Sequence, residues 1–139
     1  MGASVAKYSL IKNKEIHAKF LYDNDFTKSK LFYIANSFEK DVKQRLYIEK
    51  GWPENIYYMS KILLNSYTGL LVNYKNIHDN QIRVYGCCPG WVKTDLGGPK
   101  APMPVERSLI TPLYLLGLQE FQQEIQGKLF LNKKVVSLE

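Results

Sequence analysis

Apolar residues return at three- and four-residue intervals from Leu31 through Ile34, Phe38 and Val42 to Leu46, the spacing of one buried face of an α-helix. Thr27 stands where such a helix needs a side-chain acceptor for its first free N–H groups, and Gly51 lies just past its end as a stop. A second helix is predicted from Pro53, a favourable first-turn residue. Ile56, Met59, Leu63, Tyr67, Leu70 and Tyr74 lie on its packed side, with Tyr57, Lys61 and Thr68 beside that stripe. The run from Gln81 to Cys87 has the short, β-branched character of a buried strand, and it empties directly into Pro89-Gly90. A third helix from about Val105 to Leu118 should kink at Pro112, and Gly127 introduces a last short strand from Lys128 to Leu131.

A chain of 139 residues, 45% hydrophobic, is long enough for one domain with a core, and it shows neither internal repeat nor low-complexity tract. Its longest apolar-leaning run, Leu109 to Leu118, is broken by Pro112 and falls far short of the roughly twenty residues that cross a bilayer. No secretory signal stands out. Met1-Gly2 opens like a myristoylation site, but Ala6 occupies the position that wants serine or threonine. A soluble, cytoplasmic setting with no membrane partner is therefore expected. Cys87 and Cys88 are adjacent, too close for a relaxed disulfide or the spaced ligands of a zinc site, and His17 and His78 stand apart from any carboxylate cluster. No metal site is expected.

The net charge of +6 is spread out. Residues 1–50 carry ten basic and six acidic groups, interleaved with apolar residues rather than gathered on one element with aromatic platforms. That pattern reads as solvated helix faces and argues against nucleic acid as a partner, while a mild positive field would help to draw in an anionic cofactor.

The candidate chemistry lies in Tyr57 and Lys61. Four residues make about one helical turn, so phenol and ammonium project from one face. A free tyrosine has a pKa of about 10, and a neighbouring cation favours the phenolate and lowers it. Such a group can hand a proton to a carbonyl oxygen while a cofactor delivers hydride to the carbon. Tyr58 is the rival, three residues from Lys61 instead of four. Downstream, the predicted strand ends in Cys88-Pro89-Gly90-Trp91-Val92-Lys93-Thr94-Asp95, and in open α/β sheets ligands bind just beyond the carboxyl ends of strands.

Gly51-Trp52-Pro53, Tyr57, Lys61, Asn65, Cys87 to Asp95, Gly98-Pro99-Lys100, Thr111-Pro112 and Gly127-Lys128-Leu129-Phe130 together resemble the short-chain dehydrogenase/reductase family, in its monomeric carbonyl-reductase branch. The resemblance runs nearly end to end but covers only that family's C-terminal, catalytic half. It implies an α/β fold, the C-terminal half of a Rossmann-like doubly wound parallel sheet. Residues 1–139 would form a partial domain, with the helix from Thr27 as an insertion ahead of the active-site helix. By the same resemblance Tyr57 is the proton donor, and Lys61 tunes it and holds the nicotinamide ribose. Pro89, Gly90, Val92 and Thr94 hold the nicotinamide end, the last two through backbone and hydroxyl, and Trp91 and Trp52 line the substrate pocket. NADPH is the expected cofactor, with NAD not excluded because the residues that choose between them belong to the other half. A small ketone or aldehyde is the expected substrate.

The family's Gly-rich turn, which cradles the pyrophosphate at a helix N-terminus, has no counterpart among the nine glycines. Its carbonyl-polarising serine belongs immediately before Met1, and Ser4 lies past the strand end. Met1 is therefore expected to be internal to a longer reading frame, whose product would be monomeric because the inserted helix covers the family's oligomer surface. The 139 residues alone should be inactive, with a sheet edge that aggregates or recruits a partner. The alternative is a noncatalytic fragment or partner-binding module derived from a reductase.

Overall fold

The computed structural model describes residues 2–23 and 25–139, and the side chains of all of these but His78. Met1, on which the reading-frame expectation turns, thus lies outside the described residues, as does the side chain of His78. Among the described residues six α-helices precede or flank a small sheet: α1 (Lys14–Tyr22), α2 (Lys28–Lys43), α3 (Ile56–Leu71), α4 (Lys75–Asp79), α5 (Val105–Ser108) and α6 (Ile110–Leu116). The strands are β1 (Gly86–Cys87), β2 (Leu129–Leu131) and β3 (Lys134–Val136), in spatial order β1-β2-β3.

The periodic stripe of α2 behaves as its spacing requires. Leu31, Ile34 and Phe38 are buried, and the Thr27 hydroxyl accepts the Lys30 N–H at 3.3 Å. Its end differs from expectation. The helix stops at Lys43, and Arg45 takes a left-handed conformation at φ 60°. Leu46 N–H then reaches Asp41 C=O at 2.9 Å and Arg45 N–H reaches Val42 C=O at 3.0 Å, the paired bonds of a Schellman motif without its usual glycine. Gly51 does other work. At φ +77° its carbonyl accepts from Lys12 and Asn13 N–H, and a Cβ there would lie 2.7 Å from the Asn13 nitrogen.

Asn13 in turn caps α1, its Oδ1 accepting the Ile16 N–H at 3.1 Å. That short helix was not evident in the hydrophobic pattern because it buries no residue fully; it is held by Phe20, stacked on Tyr8 at 5.1 Å and tilted against Phe26 at 5.4 Å. Helix α3 begins at Ile56, with Asn55 rather than Pro53 at its boundary and Asn55 Oδ1 accepting the Tyr57 N–H at 2.9 Å. Its buried face is Met59, Ile62, Asn65 and Ser66, whereas Ile56 and Tyr74 from the expected stripe are exposed. Two polar residues on the packed side explain the shift: Asn65 Nδ2 donates to Ala3 C=O at 3.2 Å, and Ser66 Oγ, which donates to Ile62 C=O, accepts from the Tyr8 hydroxyl at 3.1 Å. α2 packs on α3, and one core gathers Ala3, Ala6, Ile11, Ile34, Phe38, Trp52, Met59 and Ile62.

The expected strand over 81–87 is shorter. Gln81 turns at φ 50°, and Ile82 N–H bonds back to Ile77 C=O, so these residues close α4. Bonds from Gly127 N–H to Val84 C=O, Gly86 N–H to Lys128 C=O and Cys88 N–H to Phe130 C=O carry the parallel pairing of β1 with β2. β3 then returns antiparallel to β2 through Asn132 and Lys133, both at positive φ, a two-residue hairpin of the primed type that suits the twist of its strands. The sheet is therefore mixed, and its parallel part is the β1–β2 pair. The expected third helix breaks at Leu109 rather than at Pro112. A proline cannot donate to the carbonyl four residues earlier and its ring crowds that carbonyl, so the interruption falls near Ser108.

The ion pair of Asp41 with Lys50, at 2.5 Å, is completed by Trp52 Nε1 donating to the second carboxylate oxygen at 2.9 Å. Lys50 first and the Trp52 N–H second hold the Asp41 carboxyl below the usual range. A depressed folded-state value means that the stabilisation is present above the unfolded pKa of about 3.9 and is lost as pH falls through the lower folded value. Asp41→Asn should cost about 1–3 kcal/mol at neutral pH, by removing the charge that pairs with Lys50 and assists the bond from the buried indole N–H. Urea titrations of both proteins should show the gap closing once pH drops below about 4.

Candidate functional site

One turn of α3 brings the Tyr57 and Lys61 side chains together, with Lys61 Nζ over the Tyr57 ring, 5.6 Å from its centroid. Tyr57 is half exposed, at 51%. Its backbone is fixed at both ends: the N–H by Asn55, and the carbonyl by Ser60 Oγ, which donates to it at 2.8 Å. Tyr58 packs edge-on against Tyr57 with centroids 6.1 Å apart.

The segment after β1 is shaped by two glycines. Gly90 turns at φ +83°, and a Cβ there would lie 2.1 Å from Met103 Cε. Lys93 N–H bonds to Met103 C=O at 2.8 Å and Met103 N–H to Trp91 C=O at 3.3 Å, a parallel bridge centred on Val92 and Met103. In such a bridge the N–H and C=O of Val92 itself point to the opposite side. Among the described residues the Val92 N–H has no partner. Its carbonyl is shielded by Gly97, where a Cβ would come within 1.9 Å of that oxygen. Thr94 closes the loop, its Oγ1 accepting the Gly97 N–H at 3.0 Å and its carbonyl the Gly98 N–H at 2.9 Å. A hydroxyl that accepts one bond still has its own proton to donate.

Trp91 is exposed, its indole N–H donating to Gly97 C=O at 2.8 Å, so it offers a ring face rather than a polar atom. Trp52 is placed differently. It is 2% exposed, its edge packs on Phe38 at 5.3 Å and its N–H is taken by Asp41, which leaves it as core rather than as a substrate wall. Ser4 Oγ accepts from the Cys88 thiol at 3.4 Å. Burial, and then the neighbouring Cys88, push the Cys87 thiol above its usual value, away from nucleophilic use. A residue that the sequence reading passed over is Arg83, whose guanidinium donates to Leu118 C=O and, at 2.7 Å, to Gln119 C=O, tying β1's approach to the end of α6. Its only signal in sequence was a charge just ahead of a buried strand.

The tyrosine–lysine pair on a helix, with a parallel strand pair that ends in a Pro-Gly turn, belongs to an α/β arrangement that corresponds to part of a Rossmann-like fold. The solved structure of salutaridine reductase from Papaver somniferum shares this fold, with a TM-score of 0.78 and 24% identity over 93% of the chain and 42% of that structure. No protein-family model matches the chain. In sequence the chain corresponds to the C-terminal half of the carbonyl reductases. It is 32% identical to carbonyl reductase [NADPH] 1 of Mus musculus over 137 residues, 96% of this chain and 49% of the relative. To the protein of that name from Sus scrofa it is 32% identical over 124 residues, 88% of this chain and 43% of the relative. The chain thus spans about half the length of the curated relatives it matches. No helix among the described residues is long and apolar enough to cross a membrane.

Because the Gly97 position admits no side chain beside a backbone carbonyl, Gly97→Ala should open the Trp91–Gly98 loop. A loss of about 1–3 kcal/mol is expected. Hydrogen exchange should quicken at the Gly97 and Gly98 amides, with those of α3 unchanged.

Proposed function

We propose that the chain supplies the catalytic half of an NADPH-dependent carbonyl reductase. The observation that carries this reading is the Tyr57–Lys61 pair, held on one face of α3 with the cation over the phenol ring. In the reaction, the Tyr57 hydroxyl gives its proton to the carbonyl oxygen of a ketone or aldehyde, and Lys61 stabilises the phenolate left behind. The cofactor supplies the hydride that the carbonyl carbon receives, so that an alcohol results. The residues present suit the nicotinamide end of that cofactor. The unpaired Val92 N–H can donate to a carboxamide oxygen, and the Thr94 hydroxyl stands two residues on. Lys61 would hold the ribose, and the exposed ring of Trp91 would face the substrate. NAD in place of NADPH would use the same residues.

A second reading is a noncatalytic, partner-binding chain, and the free edge of β1 favours it. Gly2 N–H bonds to Cys87 C=O at 3.0 Å, but the N–H and C=O of Tyr85 and the N–H of Cys87 have no partner among the described residues. Unpaired strand groups of this kind recruit other chains.

Fusing the dinucleotide-binding half of the Mus musculus relative to this chain tests the first reading, with NADPH oxidation by an aromatic ketone as the assay. Tyr57→Phe should lower turnover by about 10²- to 10⁴-fold with cofactor affinity nearly intact. Lys61→Ala should damage both, and Tyr58→Phe neither. A greater loss from Tyr58→Phe than from Tyr57→Phe would overturn the assignment.

On its own the 139-residue chain is expected to show no reductase activity and no measurable NADPH binding, since a grip on the nicotinamide end alone is weak. Fluorescence titration with sedimentation alongside checks this. Micromolar affinity in a monodisperse monomer would contradict it.

A further inference from the structure

A cleft of about 380 Å³ opens between α1, α2 and the loop that carries Lys50 and Trp52, and neither Tyr57 nor Lys61 lines it. Its size lies within the range of small-molecule pockets. Ile16 and the exposed ring of Tyr33 give it an accessible apolar floor, with Ile34 and Trp52 buried beneath, and the rim is charged. Two of the rim's charges are already spent: Lys50 is paired with Asp41, whose second oxygen holds the Trp52 indole. The back wall is therefore rigid and internally satisfied. Asn13 adds to this, its Nδ2 donating to Lys50 C=O at 3.1 Å while its Oδ1 caps α1.

What remains is cationic. Lys19 from α1 and Lys40 from α2 both line the cleft, and neither belongs to any of the four ion pairs among the described residues. For Lys19 this is notable, because Glu15 stands four residues before it, the order and spacing that favour a helical ion pair. At the same spacing Glu39 and Lys43 do pair, at 2.6 Å. Glu15 and Lys19 do not. With three lysines against two carboxylates around the opening, the cleft carries one net positive charge over an apolar floor.

We propose that this cleft binds a small amphipathic monoanion, an aryl or short alkyl carboxylate, with its carboxylate between Lys19 and Lys40 and its apolar body on Ile16 and the ring of Tyr33. Charge-assisted contacts from two lysines fix the head group, and the floor rewards a hydrocarbon tail that inorganic anions lack. The site is independent of the reductase reading, since it shares no residue with the tyrosine–lysine pair or the loop after β1.

The 139 residues hold two tryptophans, so Trp91→Phe in this 139-residue chain leaves Trp52 as the sole indole reporter beneath the cleft. Sodium benzoate should change its emission saturably. Acetate and inorganic phosphate should bind at least about tenfold more weakly, and benzylamine not at all. The double substitution Lys19→Gln with Lys40→Gln should weaken benzoate by about tenfold or more, whereas Lys43→Gln, a cation of α2 outside the cleft, should leave it unchanged. A benzoate response that is absent, matched by phosphate, or indifferent to the double substitution overturns the proposal.

Discussion

The arrangement depends on a short segment clamped between strand and helix. Gly2 N–H bonds to Cys87 C=O at the edge of β1, and one residue on, Ala3 C=O accepts from the Asn65 amide of α3. The helix bearing Tyr57 and Lys61 is thereby linked to the carboxyl end of the strand that feeds the Pro89-Gly90 turn. The fit leaves no latitude: a Cβ on Gly2 would lie 2.3 Å from Asn65 Oδ1 and 2.6 Å from a methyl of Leu129. That oxygen is buried and has no hydrogen-bond partner among the described residues.

The same contact explains where the amino-acid pattern was legible and where it was not. The stripe of α2 and its Thr27 cap could be read because apolar spacing and capping agree with what is buried. The packed face of α3 could not, because Asn65 and Ser66 occupy it, and polar residues at core positions look like surface until their partners, Ala3 and Tyr8, are known to be adjacent. Tertiary contacts also decided the end of α2, where Arg45 adopts the left-handed turn usually given to glycine, and Gly51 was needed instead beside the backbone of Asn13. The turn into β3 was hidden by Asn132-Lys133, which lacks the glycine of a typical primed turn.

For the candidate site, the Tyr57–Lys61 spacing was enough to put the two side chains in contact, since one helical turn leaves little freedom. Trp52 shows the limit of reading a residue by its neighbours in sequence. It lies close to Tyr57 along the chain, yet the acid that claims it, Asp41, comes from another helix. The pairing of a buried indole with a carboxylate and the lysine that neutralises it is a three-dimensional fact with no local pattern. Arg83 is similar, because the carbonyls it holds lie 35 and 36 residues away in sequence.

The two ends of β1 have contrasting demands. At its carboxyl end, bridge, turn and loop use the N–H groups of Lys93, Gly97, Gly98 and Met103, while those of Gly90, Trp91, Val92, Thr94, Asp95 and Leu96 have no partner among the described residues. A ligand carbonyl can take up such an N–H group without displacing a bond within the protein. Along the strand's outer edge the unpaired groups belong instead to alternate residues, Tyr85 and Cys87, with the rung from Gly2 setting the register. That spacing is the repeat of a β ladder and not of a small-molecule site. The molecule therefore leaves backbone hydrogen-bonding groups unfilled in two places, the loop after β1 and the outer edge of the strand. Filling the second would bury the edge beside the first, so a completed sheet and a dry, ordered turn after β1 are physically coupled.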